Sequence, residues 1–225
     1  MKAMILAAGF GKRMRPLTDS LPKPLLPCAG KPLIAYHIEA LVAVGVKDIV
    51  INHAYLGEKI EAALGDGAAY GARIQYSPED KPLNTGAGIA RALPLLGDEP
   101  FILVSGDVWT DFDYKLLLNR EIDLAHLVMV ANPEHNPQGD FSLLKNGRLL
   151  ADRGSRDGVG LTYSGISVLH PKLFAFCPQG QFPLREPLIA AMGDNKVSGQ
   201  HFRGKWTDVG TPQRLQSLEQ QILGG

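Results

Sequence analysis

The sequence predicts an α/β fold: a doubly wound, mostly parallel (mixed) sheet, with a smaller α+β lobe in the second half. Two observations support this prediction. In the first half, short apolar runs typical of buried strands alternate with segments of helical spacing, as repeated strand–helix units do. After about residue 120 the pattern changes to strands joined by short turns. A chain of 225 residues buries enough surface for a core that needs neither a disulfide nor a metal.

The elements of the first half follow in order. A short apolar run, Ala3–Ala7, stops at a glycine, as a buried parallel strand does. Apolar residues then recur at helical spacing from Leu33 to Val44, and Gly45 suits the end of that helix. The remaining elements are strands over Asp48–Asn52, Arg73–Ser77 and Phe101–Val104, and helices over Leu56–Leu64 and Thr85–Leu96.

The second half predicts a mixed arrangement of strands and helices. Asn146-Gly147 lies between two strand-like runs, Phe141–Leu144 and Arg148–Leu150, which is a strong signal for a two-residue hairpin. Other predicted elements are strands over Leu124–Ala131 and Leu161–Leu169, and helices over Leu184–Met192 and Gln213–Ile222. Since no repeat or low-complexity linker interrupts the chain, we expect one domain over residues 1–225, with lobes over residues 1–120 and 121–225.

Composition excludes several classes of function. The net charge of zero argues against general binding to nucleic acid or to a membrane surface. The longest apolar runs are about five residues, far short of the roughly 18 that a membrane span requires. The two cysteines form no CxxC motif, and we expect a cytoplasmic protein with both as thiols. Charge is unevenly spread, however: residues 1–32 carry a net charge of +5, which indicates an anion site or a solvated basic surface.

The most informative segment runs from Leu6 to Thr18. Small residues after the first strand allow backbone N–H groups to approach a phosphate closely, and Lys12 and Arg13 add positive charge beside them. Met14 stands where a dinucleotide-binding loop requires glycine, and Arg13 stands where a Walker A loop requires Ser or Thr. Both of those loops are therefore excluded.

Two further residues suit a phosphate site. Lys23 lies between two prolines, which restrict the backbone and so direct its side chain. Asp107 follows an apolar strand, at the sheet edge where open α/β folds bind ligands, although it also suits a turn or a helix N-cap.

The segments LAAGFGKRMRPLT and LPKPLL resemble the signature of the sugar-1-phosphate nucleotidylyltransferases. The resemblance extends over nearly the whole chain and implies a Rossmann-like fold, with residues 1–120 binding nucleotide and residues 121–225 binding sugar. It implies that Arg13, Lys23 and Asp107 are catalytic and that Asp107 and Asp208 hold Mg²⁺, which takes one or two carboxylates together with substrate phosphates and so suits this pair. The segment Trp206–Thr211, which contains Asp208, alternatively reads as an edge strand ending in a surface turn. The implied nucleotide contacts are Ala8, Gly9, Gly11, Lys12, Arg13, Lys23, Asn84 and Ser105.

Two of these positions depart from the family pattern. Lys12 stands where the family often has Thr, and Asn84 stands where its base-reading loop often has Gly. Asn84 or Thr85 also suits a helix N-cap. On the sugar side, the resemblance implies contacts from Gly106, Asp140, Gly165 and Glu186. Glu186 is equally well explained as an acid that complements a helix dipole.

The resemblance also bears on the substrates. The short length and the segments PLNTGAG and WTDVGT favour UTP and N-acetylmuramic acid 1-phosphate, used in peptidoglycan recycling. GTP with mannose 1-phosphate and dTTP with glucose 1-phosphate are the alternatives, and a non-catalytic sugar-nucleotide sensor is a third. The other partner predictions are no nucleic acid, no membrane and a monomer.

Overall fold

The computed structural model describes residues 1–224. Its strands are β1 (Ala3–Leu6), β2 (Pro27–Cys28), β3 (Lys31–Pro32), β4 (Asp48–His53), β5 (Arg73–Pro78), β6 (Phe101–Ser105), β7 (Val108–Thr110), β8 (Ala125–Val130), β9 (Phe141–Leu144), β10 (Leu149–Leu150), β11 (Gly158–Leu169), β12 (Val197–His201) and β13 (Trp206–Asp208). Its α-helices are α1 (Leu33–Ala43), α2 (Gly57–Leu64), α3 (Thr85–Leu96), α4 (Arg185–Gly193) and α5 (Pro212–Gly224). Short 3-10 helices cover Lys12–Met14, Lys23–Leu25, Ala68–Tyr70, Tyr114–Leu117 and Pro171–Phe174.

The chain forms two compact units, each assembled from separate segments. Unit A comprises Lys2–Pro82, Val104–Lys115 and the chain from Lys205 onwards. Unit B comprises Leu83–Leu103 and Leu116–Gly204. The assignment of one domain with lobes over residues 1–120 and 121–225 stays a prediction.

Unit A has a parallel sheet in the order β1-β4-β5. Helix α1 ends as its sequence predicts: Gly45 follows it at a φ of +87°, and the Val46 N–H donates to the Leu41 carbonyl at 3.0 Å. Two antiparallel strand pairs, β2–β3 and β7–β13, complete the unit. Beneath them lies an apolar cluster formed by Met14, Leu26, Cys28, Leu33, Val209, Leu215 and Leu218.

Unit B has a mixed sheet. The long strand β11 pairs antiparallel with both β8 and β9, while β12 runs parallel to β8. The hairpin between β9 and β10 turns at Asn146-Gly147 as predicted, with Gly147 at a φ of +80°. The bulge in the β11–β8 ladder between Tyr163 and Ser167 contains Gly165, whose φ of +81° is the left-handed conformation that favours glycine.

The predicted α/β class with a mixed, mostly parallel sheet is confirmed, and most boundaries hold within one or two residues. Helix α2 begins one residue late because Leu56 adopts a left-handed φ of +53°. Strand β11 begins at Gly158, three residues before the predicted start. The short strands β2, β3, β7 and β12 were not predicted. No helix within the described residues combines the length and apolar character needed to cross a membrane.

His126 is a buried titratable group in unit B. It lies opposite Ser198 in the β8–β12 ladder, with Nδ1 2.8 Å from Ser198 Oγ and Nε2 3.3 Å from Gln200 Oε1. Burial and, secondarily, the positive charge of Arg120 lower the pKa of His126 from 6.5 to about 4. The ring is therefore neutral in the folded protein near neutral pH.

This shift predicts a defined loss of stability in acid. Because the folded-state pKa lies below the unfolded value, the contribution of His126 is complete above about pH 6.5 and is lost as the pH falls towards about 4. For His126 alone, linkage lowers the free energy of unfolding by about 2 kcal/mol between about pH 7.5 and about pH 5. We expect His126→Gln to lose that part of the pH dependence, measured by urea unfolding at both pH values. An equal pH dependence in the two proteins would contradict this account of His126.

Candidate functional site

The glycine loop, residues 7–11, follows β1 directly and is held at both ends. The Ala7 N–H donates to the buried Oδ1 atom of Asn52, at the end of β4, at 3.0 Å. Gly11 has a left-handed φ of +61°, and a Cβ atom there would lie 2.9 Å from Thr18 Cγ2. The buried Thr18 hydroxyl donates to the Gly11 carbonyl at 2.9 Å. The loop therefore has a fixed backbone that requires glycine at position 11.

Two buried polar side chains support the glycine loop. Asn52 donates through Nδ2 to Glu79 Oε1 at 2.6 Å, and the Glu79 N–H donates to the His53 carbonyl at 2.8 Å. The carboxyl ends of β1, β4 and β5 are thus linked through hydrogen bonds behind the loop. Sequence reasoning missed Asn52 and Glu79 as supports, because their partners lie 45 and 27 residues away and only their positions at strand ends could have signalled a role.

The short 3-10 helix after the glycine loop buries its apolar side chain and exposes its two charged ones. Met14 is 1% exposed and packs into the apolar cluster, whereas Lys12 and Arg13 lie at the surface. Lys12 Nζ lies 5.3 Å from the centroid of the Phe10 ring. The Arg13 guanidinium makes no hydrogen bond or ion pair within the part of the chain that the structure describes. It lies against Gly210, where an added Cβ would be 3.4 Å from both of its terminal nitrogens.

Lys23 is a buried cation whose direction is fixed. Pro22 precedes its 3-10 helix at a φ of −65°, and Pro24 occupies the second position of that helix. Lys23 is only 9% exposed as a residue, and its ammonium donates through Nζ to Asp107 Oδ2 at 2.8 Å. Both are predicted site residues, and because they are 84 positions apart only the fold brings them together in this ion pair.

Asp107 occupies a tight turn between β6 and β7. The preceding Gly106 donates its N–H to the Leu6 carbonyl at 2.9 Å, and a Cβ on Gly106 would lie 2.7 Å from that same oxygen. Glycine is therefore required for the end of β6, the half-buried Ser105, to lie beside the end of β1. Strand β7 and not a helix follows Asp107, so the alternative of a helix N-cap is wrong.

Strand β13 brings Asp208 to the same turn. Asp208 lies opposite Val108 in the antiparallel β7–β13 pair, and the Val209 N–H donates to the Asp107 carbonyl at 2.8 Å. The Asp208 carboxylate is held by Arg214, whose Nη1 donates to Oδ2 at 2.6 Å. The alternative of a surface turn residue is therefore wrong for Asp208, whose side chain is only 23% exposed.

The chemistry of these donors fits a hard divalent cation. Within residues 1–224 the structure contains no group of three or more His, Cys, Asp or Glu side chains that would enclose a metal without other ligands. Asp107 and Asp208 lie on paired segments and supply two carboxylates, a donor set that suits a cation sharing its remaining positions with substrate phosphates and water. Asp107 and Asp208 therefore have the chemistry expected of residues that would hold Mg²⁺.

Strand β7, which follows Asp107, is anchored by a buried histidine that sequence reasoning missed. His37 Nε2 lies 2.7 Å from the Val108 carbonyl, and His37 Nδ1 lies 2.9 Å from the Tyr114 hydroxyl. Burial lowers the pKa of His37 from 6.5 to about 4, so the ring is neutral and donates to the carbonyl through Nε2. In the sequence, His37 occupies one of the positions that follow the apolar spacing of α1. Nothing in that pattern indicates that its side chain contacts a strand.

The predicted base-contacting residue Asn84 lies in unit B. Asn84 takes the N-cap position of α3 at a φ of +67°, but its exposed side chain makes no capping hydrogen bond. Thr85 Oγ1 instead accepts the Leu184 N–H at 3.0 Å, and the Ala87 N–H donates to the Phe182 carbonyl at 3.1 Å. The Asn84 side chain is therefore not used by the helix that it precedes.

Three of the four predicted sugar-contacting residues, Asp140, Gly165 and Glu186, also lie in unit B. Asp140 accepts the Tyr163 N–H through Oδ2 at 2.9 Å, two residues before the Gly165 bulge. Its carbonyl accepts from Arg185 Nη1 at 3.3 Å, and Arg185 stacks over the Phe141 ring at 4.7 Å. The first turn of α4 contains Glu186, so Asp140, Gly165 and Glu186 lie on connected segments, whereas Gly106 lies in unit A.

Comparisons with known proteins show the family to which this chain belongs. Residues 2–151 match the family described as Nucleotidyl transferase. The chain is 51% identical to an N-acetylmuramate alpha-1-phosphate uridylyltransferase of Neisseria meningitidis serogroup B, over 100% of this chain and 99% of the relative. It is 32% identical to a mannose-1-phosphate guanylyltransferase of Mycobacterium tuberculosis, over 94% of this chain but only 61% of that longer relative.

The fold is also shared with solved structures. A Bacillus anthracis protein crystallised with sucrose superposes with a TM-score of 0.85, over 98% of this chain and 94% of that chain, at 21% sequence identity. At this identity the likeness shows the fold alone.

The buried network behind the glycine loop generates a test. Asn52→Ala leaves the Ala7 N–H buried without its acceptor, which we expect to lower the free energy of unfolding by about 1–3 kcal/mol. Asn52→Asp keeps an acceptor for Ala7 but places a second carboxylate beside Glu79, so this variant should regain stability as the pH falls towards about 5. Urea unfolding at neutral and mildly acid pH measures both effects. Wild-type stability in Asn52→Ala would contradict the role given to this network.

Proposed function

Because this chain belongs to the nucleotidyl transferase family, we propose that it transfers a uridylyl group from UTP to N-acetylmuramic acid 1-phosphate, with release of pyrophosphate. The choice of these substrates is supported by the 51% identity to the Neisseria relative, which extends over essentially the full length of both chains. A second relative with the same name, from Caulobacter vibrioides, is 33% identical over 98% of this chain. The products are a UDP-sugar and pyrophosphate.

The reaction requires charge control more than acid–base chemistry. A phosphate oxygen of the sugar 1-phosphate attacks the α-phosphorus of the nucleotide in line, and the bond to pyrophosphate breaks. The attacking phosphate is already ionised at neutral pH, so no general base is needed. Catalysis then rests on bringing two anions together and on stabilising the charge that develops between them.

The observation that carries the proposal is the convergence of Lys23, Asp107 and Asp208 next to the glycine loop. In the proposed site, the backbone N–H groups of Ala8, Gly9 and Gly11 bind the triphosphate, and Lys12 and Arg13 neutralise its β- and γ-phosphates. Lys23 lies where a point charge can serve both the α-phosphate and the incoming sugar phosphate. Ser105 and Asn84 complete the proposed nucleotide contacts, and the proposed sugar contacts are Gly106, Asp140, Gly165 and Glu186.

Asp107 and Asp208 would hold Mg²⁺. When bound, the ion would supply Lewis-acid polarisation of the α-phosphate. The proposal takes nucleotide and sugar phosphate as partners of a monomeric cytoplasmic enzyme that binds neither nucleic acid nor membrane.

One alternative has specific support. The identity to the Mycobacterium tuberculosis guanylyltransferase favours GTP and mannose 1-phosphate, although this chain spans only 61% of that relative. A non-catalytic sugar-nucleotide sensor is disfavoured, because the chain retains the ion pair between the buried Lys23 and Asp107 and also the Asp208 carboxylate, which a sensor does not need.

Pyrophosphate release decides between these substrates. The protein is incubated with Mg²⁺, one of UTP, GTP, CTP, ATP or dTTP, and one of a set of sugar 1-phosphates. We expect the highest kcat/KM for UTP with N-acetylmuramic acid 1-phosphate, because a pocket suited to a pyrimidine leaves polar groups unpaired against guanine. A kcat/KM for GTP equal to that for UTP would favour the guanylyltransferase, and full turnover in EDTA would contradict the metal requirement.

Lys23 provides the sharpest test of the mechanism. If its charge counts most as the two phosphates approach, Lys23→Ala should lower kcat more than it raises KM, by roughly 10²–10³-fold in kcat. Lys23→Arg should restore little activity, because a planar guanidinium does not reproduce the position of an ammonium.

Lys31→Ala is the matched control for Lys23→Ala. Lys31 belongs to the same basic segment, but its ammonium is paired with Glu39 and lies 4.1 Å from the centroid of the Tyr36 ring. We expect Lys31→Ala to keep kcat within a few-fold of wild type. Equal losses at the two lysines would mean that the segment acts only as a diffuse positive field.

A further inference from the structure

Arg214 is a cation in an unusual position beside the proposed metal site. It lies in the first turn of α5, where the helix dipole disfavours positive charge. Its backbone N–H donates to Thr211 Oγ1 at 3.3 Å, and its guanidinium is bound through Nη1 to Asp208 Oδ2 at 2.6 Å. The ion pair with Asp208 offsets the unfavourable interaction of Arg214 with the helix dipole. This compensation is lost when the Asp208 carboxylate binds another cation.

A second arginine lies at the same place. A Cβ added to Gly210 would be 3.0 Å from Arg214 Nη1 and 3.4 Å from both terminal nitrogens of Arg13. The buried Gly210 thus gives two guanidinium groups room to approach one point. Two like charges this close are stable when an anion lies between or beside them. Asp208 supplies one such anion to Arg214, but within the described chain Arg13 has none.

The charges around the two aspartates would pair differently once a divalent cation bound there. Arg13, Lys23 and Arg214 carry three positive charges in this region. Asp107 and Asp208 carry two negative ones, and each carboxylate is bound by a side-chain cation, Lys23 in the first case and Arg214 in the second. A divalent cation bound to these carboxylates would compete with Lys23 and Arg214 for them. The two positively charged side chains would then be available to bind another anion.

We propose that Arg214 is a triphosphate-binding residue that Asp208 holds in reserve, and that metal binding to Asp208 releases it to act beside Arg13. This inference rests on the proposed function, because it takes the anion to be the triphosphate of the nucleotide. It assigns to Asp208 two partners that exclude each other, the Arg214 guanidinium and the metal. Metal and triphosphate then assist each other's binding, since each removes the competitor of the other.

The test measures binding of inorganic tripolyphosphate in EDTA by calorimetry at low salt, so that no metal and no turnover are involved. Asp208→Asn keeps the shape of the side chain and the 3.5 Å contact of Arg214 Nη1 with the residue 208 carbonyl, but it removes the negative charge that binds the guanidinium. We expect this variant to bind tripolyphosphate about tenfold more tightly than wild type, the scale of one charge-assisted hydrogen bond. In the Arg214→Gln background the same Asp208→Asn change should tighten binding by no more than about twofold.

Asp48→Asn is the matched control. Asp48 also binds an arginine, Arg73, through its carboxylate, with Nε to Oδ1 at 2.6 Å, but it lies at the amino end of β4. The control also removes one carboxylate charge and breaks one arginine–carboxylate pair, but the arginine concerned, Arg73, does not lie beside the glycine loop. We expect its tripolyphosphate affinity to equal that of wild type within about twofold.

The outcomes separate the inference from the proposed function. Equal tightening by Asp208→Asn with and without Arg214 would overturn the inference, because Asp208 would then act only through its negative charge. No tightening, or no tripolyphosphate binding in any variant, would also overturn it. The proposed function fails separately, if no nucleotide and sugar 1-phosphate give pyrophosphate with the wild-type protein.

Metal binding gives a second measurement that does not depend on the folding of Asp208→Asn. Without nucleotide, Arg214→Gln should bind Mg²⁺ several-fold more tightly than wild type, because the guanidinium no longer competes for Asp208. Weaker or unchanged Mg²⁺ binding in Arg214→Gln would show that Arg214 supports the carboxylate rather than competing with the metal.

Discussion

The arrangement of the candidate site depends on the apolar cluster beneath it. Met14, Val209 and Leu215 are buried together in that cluster, and each has a charged neighbour in sequence: Arg13, Asp208 and Arg214. Burying the three apolar side chains therefore fixes where the three charges emerge. Side chains of this size each contribute roughly 1.5–3 kcal/mol on burial, more than an exposed ion pair provides. The packing of the cluster, and not attraction among the charges, brings the two ends of the chain together.

Hydrogen bonds between strands supply the precision that apolar packing lacks. Asn52 ties the first residue of the glycine loop to β4, and the Gly106 N–H ties the turn before Asp107 to β1. The neutral imidazole of His37 holds β7 through the Val108 carbonyl. Because these groups are buried and paired, moving the loop or the turn would leave polar atoms unsatisfied. The backbone of the loop and of the turn is therefore positioned by the protein itself, a preorganisation that the proposed electrostatic mechanism requires.

Sequence reasoning was most accurate where the signal is local. The helix predicted over Thr85–Leu96 has those same bounds in the structure, and the hairpin turn at Asn146-Gly147 was correct. Strands of two or three residues, such as β7, were missed because they are too short to show a period. Asp107 and Asp208 were predicted through a motif, whereas no sequence pattern pointed to Arg214, because its proposed role depends on contacts with Asp208 and Gly210 that only the fold creates.

The fold places the basic side chains of the first 32 residues in different environments. Arg15 pairs with Asp19 at the surface, and Lys31 pairs with Glu39, so these two cations are balanced away from the loop. Lys23 is buried against Asp107, and Arg13 reaches Gly210. A diffuse field would need none of these arrangements, and exposed charges lose most of their mutual influence beyond about 10 Å in salt. The excess positive charge of this segment is thus divided between ion pairs at the surface and two cations, Lys23 and Arg13, that lie near the turns containing Asp107 and Gly210, where the proposed triphosphate site requires positive charge.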